Sequence, residues 1–119
     1  MNDMAAMEVI PAGCPLDSLL KFLSREWMAH VVRALGQGGM LHFGVLRRAM
    51  PDRVSARMLT ARLRELQALG LVARRDAGDA LRKVEYSLTE DGAALDAVLR
   101  RLQAMMEETP LPRRLAARA

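Results

Sequence analysis

The 119-residue chain predicts a mainly α domain carrying one small β-hairpin. Three observations lead there. Half the residues are apolar, dominated by leucine, alanine and methionine, and only four are aromatic (Phe22, Trp27, Phe43, Tyr86); such a composition suits helices packed on helices. Apolar residues recur at helical spacing in five separate stretches. The segment 55–89 reads as a helix rich in arginine, a short strand, a polar turn, a second strand and a new helix start. At this length the chain is one domain, because a second would leave neither with a workable core.

The elements follow in order. Residues 1–13 show no settled period and are expected to be a flexible arm. Pro15 suits a first helical turn, and Leu16, Leu19, Leu20 and Leu23 follow at helical spacing. After a break at Ser24–Glu26, Trp27 opens a second helix with Met28, Val31, Val32 and Leu35 as its stripe; Gly36, Gly38 and Gly39 are expected to end it. Met40 and Leu41 suit a very short strand against the hairpin. A third helix, Phe43 to Met50, should turn Val45, Leu46 and Ala49 inward and Arg47 and Arg48 outward, stopping at Pro51. Ser55 is a good N-cap for a fourth helix, and Gly70 is a typical stop. The hairpin strands are Leu71–Arg75 and Arg82–Leu88 around the turn Asp76–Leu81. Thr89 caps a last helix with Glu90 and Asp91 in its first turn, where the helix dipole favours acids; Leu95, Val98, Leu99, Leu102, Met105 and Met106 give it a long apolar face. Three units result: the arm 1–13, a domain 14–107 and a flexible tail 108–119.

The net charge of +4 is unevenly placed. Residues 47–83 hold ten Arg or Lys and four Asp or Glu, while the flanking segments each sum to −1. A concentrated basic patch attracts a polyanion and neutralises its phosphates. On a wheel of 100° per residue, Leu63 and Leu66 fall within about 40° of Leu59, giving the fourth helix a buried stripe. Arg57, Ala61 and Arg64 lie opposite, with Thr60 at the edge. An apolar back with small or cationic residues facing out is what a DNA-reading helix requires; Arg57 and Arg64 suit either paired bonds to guanine O6 and N7 or phosphate contacts. Ser55, Arg74, Arg82 and Lys83 are expected to supply backbone positioning, the last two from near the hairpin tip. A basic helix backed by a basic hairpin is the plan of a winged helix-turn-helix.

The residues also resemble one family. Cys14-Pro15, Trp27, His42-Phe43, Leu46, the series Ser55, Leu59-Thr60, Leu63, Leu66, then Gly70-Leu71-Val72 with Arg74, and Val84 to Thr89 with Gly92 and Leu95, are similar to HxlR-type bacterial transcriptional regulators over about three quarters of the chain. Arg25-Glu26 stand where the family usually has Gly-Lys, Gly44-Val45 replace its usual Asn-Glu or Ser-Glu, and the wing lacks the customary prolines. The resemblance implies a homodimer formed by the arm and the first and last helices. The stripes at 16–23 and 95–106 agree, since they exceed what so small a chain buries alone. Two recognition helices would then meet half-sites about one turn apart in a roughly palindromic operator.

Cys14 is the only cysteine, which excludes an intramolecular disulfide and disfavours a zinc site. It precedes a helix N-terminus, where the dipole favours thiolate, and the resemblance makes it a candidate redox or electrophile sensor; the alternative is a small interface residue. His30 is expected to be partly buried, and His42 to lie near a phosphate. No catalytic triad, paired carboxylates or phosphate-cradling loop appears, so no enzyme, cofactor or metal is expected. With no apolar run near 18–20 residues and no secretion-signal pattern, the expected place is the cytoplasm. The expected partners are double-stranded operator DNA, a second copy of the chain, and an oxidant, electrophile or small-molecule effector, with no membrane. Two rivals stand beside the cysteine-responsive regulator: a protein-interaction module without specific DNA binding, and a regulator whose ligand fills a pocket between the first helix, the second helix and the dimer partner.

Overall fold

The computed structural model describes residues 9–76, 83–113 and 115. The elements run α1 (Pro15–Leu23), α2 (Met28–Gly38), β1 (Met40–His42), α3 (Phe43–Ala49), a single 3₁₀ turn (Pro51–Arg53), α4 (Ala56–Ala68), β2 (Val72–Asp76), β3 (Val84–Leu88) and α5 (Glu90–Glu108). The strands form an antiparallel sheet in the order β1-β3-β2. Met40 pairs with Ser87 and Val72 with Leu88, so β3 is central.

Local chemistry sets the helix boundaries. The Asp17 N–H donates to Cys14 Sγ at 3.4 Å, which caps α1 just before Pro15 at its first position. The Asp17 carboxylate accepts from the Gly13 N–H and pairs with Lys21; these contacts, the backbone bond foremost, hold it below the usual carboxylate range. Trp27 is the left-handed N-cap of α2 (φ 73°), and its ring meets His30 edge-on with centroids 5.0 Å apart. Ser55 accepts from the Met58 N–H at 3.0 Å to start α4. At the other end Gly70, with φ 74°, takes a conformation that an L side chain resists. There the Leu71 N–H reaches Leu66 O and the Gly70 N–H reaches Gln67 O, the paired bonds that satisfy terminal carbonyls.

The core is built around α2, whose Met28, Val31, Val32 and Leu35 are all buried. Leu46 of α3, Leu59, Leu63 and Leu66 of α4, Val72 and Tyr86 of the sheet and Leu99 of α5 close over it. Polar contacts join α2 to α5: Asp96, 4% exposed, accepts from Arg33 Nη1 at 2.7 Å, with Arg100 Nε 3.5 Å away, and Gln103 Oε1 accepts from Arg33 Nε at 3.3 Å.

Several expectations need correction. Gly36 does not end α2; it lies inside the helix, where a side chain would collide with the Asp96 carboxylate. The third helix stops at Ala49, and Val45 and Ala49 face solvent, because the inward side of this short helix is taken by buried Leu46, with Phe43 packed partly against the core. The first hairpin strand is displaced by one residue, to Val72–Asp76, since the α4 stop uses Leu71. The second strand begins at Val84; Arg82 and the turn 77–81 fall outside the described residues. His30 is exposed beside Trp27, and His42 Nδ1 lies 3.3 Å from Val84 O at the sheet.

The end of the hairpin is tied to α4. The Thr89 N–H donates to Leu71 O at 3.0 Å, Thr89 Oγ1 donates to Gly70 O at 2.6 Å and accepts from the Gly92 N–H at 3.0 Å. Gly92 is buried there, and a Cβ on it would run into the Leu71 carbonyl. Gly92→Ala is therefore expected to lower stability by about 1–3 kcal/mol, the usual cost of overpacking, read as a reduced urea midpoint with unchanged slope.

Candidate nucleic-acid interface

With Leu59, Leu63 and Leu66 at 0–1% exposure, the rotation of α4 about its axis is fixed. Arg57, Ala61 and Arg64 are consequently exposed on its outer face, and Thr60 is half-buried at the edge. Ser55 is spent on its own helix as the cap but remains exposed. Thr60, Arg64 and Gln67 line one wall of a cleft of about 420 Å³, and Arg74 of β2 and Tyr86 of β3 line the other. Arg74 sits opposite Tyr86 in the strand register, so both point to this side of the sheet. The structure thus brings Thr60, Arg64 and Arg74 together. Arg57 and Ala61 lie farther along the same face, and Lys83 is exposed at the start of β3.

The arginines divide into two sets. Arg25, Arg33, Arg62 and Arg100 are tied to carboxylates. Arg25 Nη2 donates to both Glu65 oxygens at 2.8 Å, and Arg62 Nη1 to Glu65 Oε1 at 2.6 Å. These contacts, Arg25 first, pull the Glu65 carboxyl below its ordinary value. Arg62 therefore belongs to the scaffold although its helix is the basic one. Arg48, Arg53, Arg57, Arg64, Arg74 and Arg75 form no ion pair among the described residues. These free cations point outward, mostly from α3, α4 and β2, and could offset phosphate charge.

A buried apolar stripe, an exposed cationic face and a basic strand in one cleft are the working parts of a DNA-binding module, and the family comparison agrees. The model of the HxlR-like helix-turn-helix matches residues 22–112. The chain belongs to that family. It is similar to the uncharacterized HTH-type transcriptional regulator YdzF of Bacillus subtilis (strain 168), 36% identical over 81 residues, which are 68% of this chain and 73% of that one. The HTH-type transcriptional regulator YodB of the same bacterium is 32% identical over 96 residues, 80% of this chain and 84% of that one. Its reduced form superimposes with a TM-score of 0.70 at 32% identity, covering 83% of this chain and 96% of that chain. The redox regulator HypR in its oxidized form gives 0.69 at 34% identity, covering 80% and 96%. This member of the HxlR-like family is thus a winged helix-turn-helix DNA-binding transcriptional regulator and not an enzyme. Among the described residues no helix is long and apolar enough to cross a membrane.

The HxlR-like scaffold also carries a basic feature outside the residues expected to form the site. Arg47, Arg48 and Arg53 line a second groove of about 420 Å³ with Gly44, Met50 and Val54, on α3 and the turn before α4. Their signal was the run of positive charge at 47–53; their convergence depends on how the turn folds.

Because Glu65 titrates below its ordinary value of 4.5 in the folded chain, its contribution to stability is present above that value and lost as pH falls through the lower folded one. Glu65→Gln should flatten the loss of stability between about pH 5 and pH 3, measured by urea denaturation across a pH series. An unchanged acid limb would show that the Arg25 contact carries no linkage.

Proposed function

We propose that this chain acts as a homodimer on a roughly palindromic operator, with α4 in the major groove and the hairpin on the flanking backbone. The observation that carries this reading is the cleft in which Thr60 and Arg64 of α4 face Arg74 of β2. Arg57, Thr60, Ala61 and Arg64 are the proposed base-facing set, Ala61 being small enough to let the helix approach the base edges. Ser55, Arg74 and Lys83 position the backbone, as does Arg82, which lies outside the described residues. The work is done in the cytoplasm, where a bacterial operator is found.

Two exposed apolar faces support the dimer. On α1, Leu16, Leu20 and Leu23 are 40–49% exposed although the helix is strongly amphipathic. On α5, Val98, Met105 and Met106 are also exposed. A cleft of about 470 Å³ between α1 and α5, lined by Leu16, Leu19, Phe22, Leu71, Leu95 and Val98, makes these faces nearly continuous. The rival ligand reading, with its pocket between the first helix, the second helix and the dimer partner, has beside it this apolar cleft between the first and last helices.

Cys14 is the proposed input. HypR is a redox regulator known in oxidized and reduced forms, and YodB in diamide-treated and quinone-bound ones. Here the Cys14 sulfur is half-buried and caps α1. In the proposed response, diamide takes the two thiol hydrogens as Cys14 of each subunit joins in an intersubunit disulfide, whereas a quinone adds to the thiolate. Either change removes the cap on a helix of the proposed dimer interface.

Arg64→Ala should cost about 1–3 kcal/mol of operator affinity, concentrated at one base-pair position; titration against single-base operator variants reads this, and a uniform loss makes Arg64 a phosphate contact. Cys14→Ser should bind the operator as the parent does and resist release by diamide in a gel shift. Release equal to that of the parent would eliminate Cys14 as the sensor.

A further inference from the structure

The turn between α3 and α4 contains a conformational cost that the fold does not require. Arg53 has φ 52°, the left-handed region where a side chain crowds its own backbone and glycine is the default. Its side chain does not hold the turn. It has no hydrogen bond or ion pair among the described residues, and other contacts close the loop: Arg47 Nε donates to Val54 O at 3.0 Å and the Met50 N–H to Arg47 O at 3.1 Å. A glycine would satisfy the backbone with less strain, so the presence of arginine points to a use for its side chain outside the folded unit.

The surroundings indicate that use. Arg53 lines the groove formed with Gly44, Arg47, Arg48, Met50 and Val54. Arg48 lies back over Gly44, where an added Cβ would be 3.6 Å from its Nη1. Among the described side chains no carboxylate lines the groove, and none of the three arginines is ion-paired among the described residues. Arg25, Arg33 and Arg62, in contrast, are each matched to Glu65 or Asp96. Three cations around one hollow, none ion-paired among the described residues, suit an external polyanion. The groove also has a fixed relation to the DNA-reading helix, since Arg53 stands two residues before the Ser55 cap. The Arg64–Arg74 cleft is lined from Thr60 onward, whereas this groove ends at Val54 before α4, so the two share no lining residue.

We propose that the Arg47–Arg48–Arg53 groove is a second phosphate-binding site, taking the DNA backbone that passes the N-terminal end of α4, with Arg53 as its anchor. The proposal rests on the reading of α4 as the DNA-reading helix and adds a contact on its side away from the wing. A phosphate contact fixes register and is blind to base sequence.

The test uses a duplex that the full-length chain itself selects from a random library, with Arg53→Gly and Arg53→Lys as variants. Arg53→Gly should bind about tenfold more weakly at roughly 0.1 M salt for each copy of the chain engaged, with a log–log salt slope shallower by about one. The loss should be equal on single-base variants of the duplex. Its melting temperature should match or exceed the parent's, because glycine relieves the strain, and Arg53→Lys should restore most of the affinity. Parental affinity and slope in Arg53→Gly would overturn the groove while leaving the DNA reading intact. A loss that comes with a lower melting temperature and is not restored by lysine would make Arg53 structural and also overturn it. Failure of the parent chain to select any duplex would remove the DNA reading and this proposal together.

Discussion

Thr89 is the point on which the rest of the molecule depends. Its backbone N–H and hydroxyl hold the carbonyls of Leu71 and Gly70, and the same hydroxyl starts α5 by accepting from the Gly92 N–H. Three elements therefore meet at one junction: the end of α4, the root of the hairpin and the first turn of α5. Each bond is modest alone, but together they leave little freedom for the hairpin to swing relative to α4. The approach is close enough that Gly92 cannot carry a side chain. Arg74 then faces Arg64 across a cleft because β2 begins immediately after this junction.

Charge is organised by a second constraint. A local excess of +6 at residues 47–83 says that the region favours a polyanion, but not which cations are available to it. Pairing with carboxylates makes part of that selection. Glu65 takes Arg25 and Arg62, and Asp96 takes Arg33 and Arg100. The exposed Arg25–Glu65 pair contributes little to stability, whereas Asp96 is buried; within residues 47–83 the consequence of this pairing is to withdraw Arg62. Among the described residues, the arginines of this segment that form no ion pair lie on α3, the turn, the outer face of α4 and β2.

This division explains how much could be read from the sequence. The helix starts at Pro15, Ser55 and Thr89, the stop at Gly70 and the stripe Leu59, Leu63, Leu66 all depend on neighbours within a turn or two, and each was legible. The face of Arg57, Ala61 and Arg64 followed from that stripe by geometry. Features set by distant partners were not. Arg25 and Glu65 are 40 residues apart, and Arg33 and Asp96 are 63 apart, so neither the capture of Arg25 by Glu65 nor the place of Gly36 inside α2 carries a local signal, whereas the Arg62–Glu65 pair, three residues apart on α4, does. The orientation of α3 was hidden for another reason: seven residues are too few for periodicity to decide between Leu46 and its neighbours. Arg53 is hidden because its positive φ belongs to the whole connection.

The junction also bears on how a signal at α1 would reach the DNA face. Leu71, whose carbonyl accepts from Thr89, presents its side chain to the apolar cleft shared by α1 and α5. Pro15, Leu16, Leu19 and Phe22 form the α1 wall of that cleft, and Leu95 and Val98 the α5 wall. Cys14 caps the helix that supplies the first wall. No residue of α1 is fully buried, so this helix rests on the core by partial contacts such as Leu19 and Phe22 and is the element most easily displaced. Under the proposed cysteine response, loss of the Cys14 cap loosens the α1 wall and changes what covers Leu71. The junction that positions the hairpin then feels the change through one shared cavity, and no longer chain of contacts is needed.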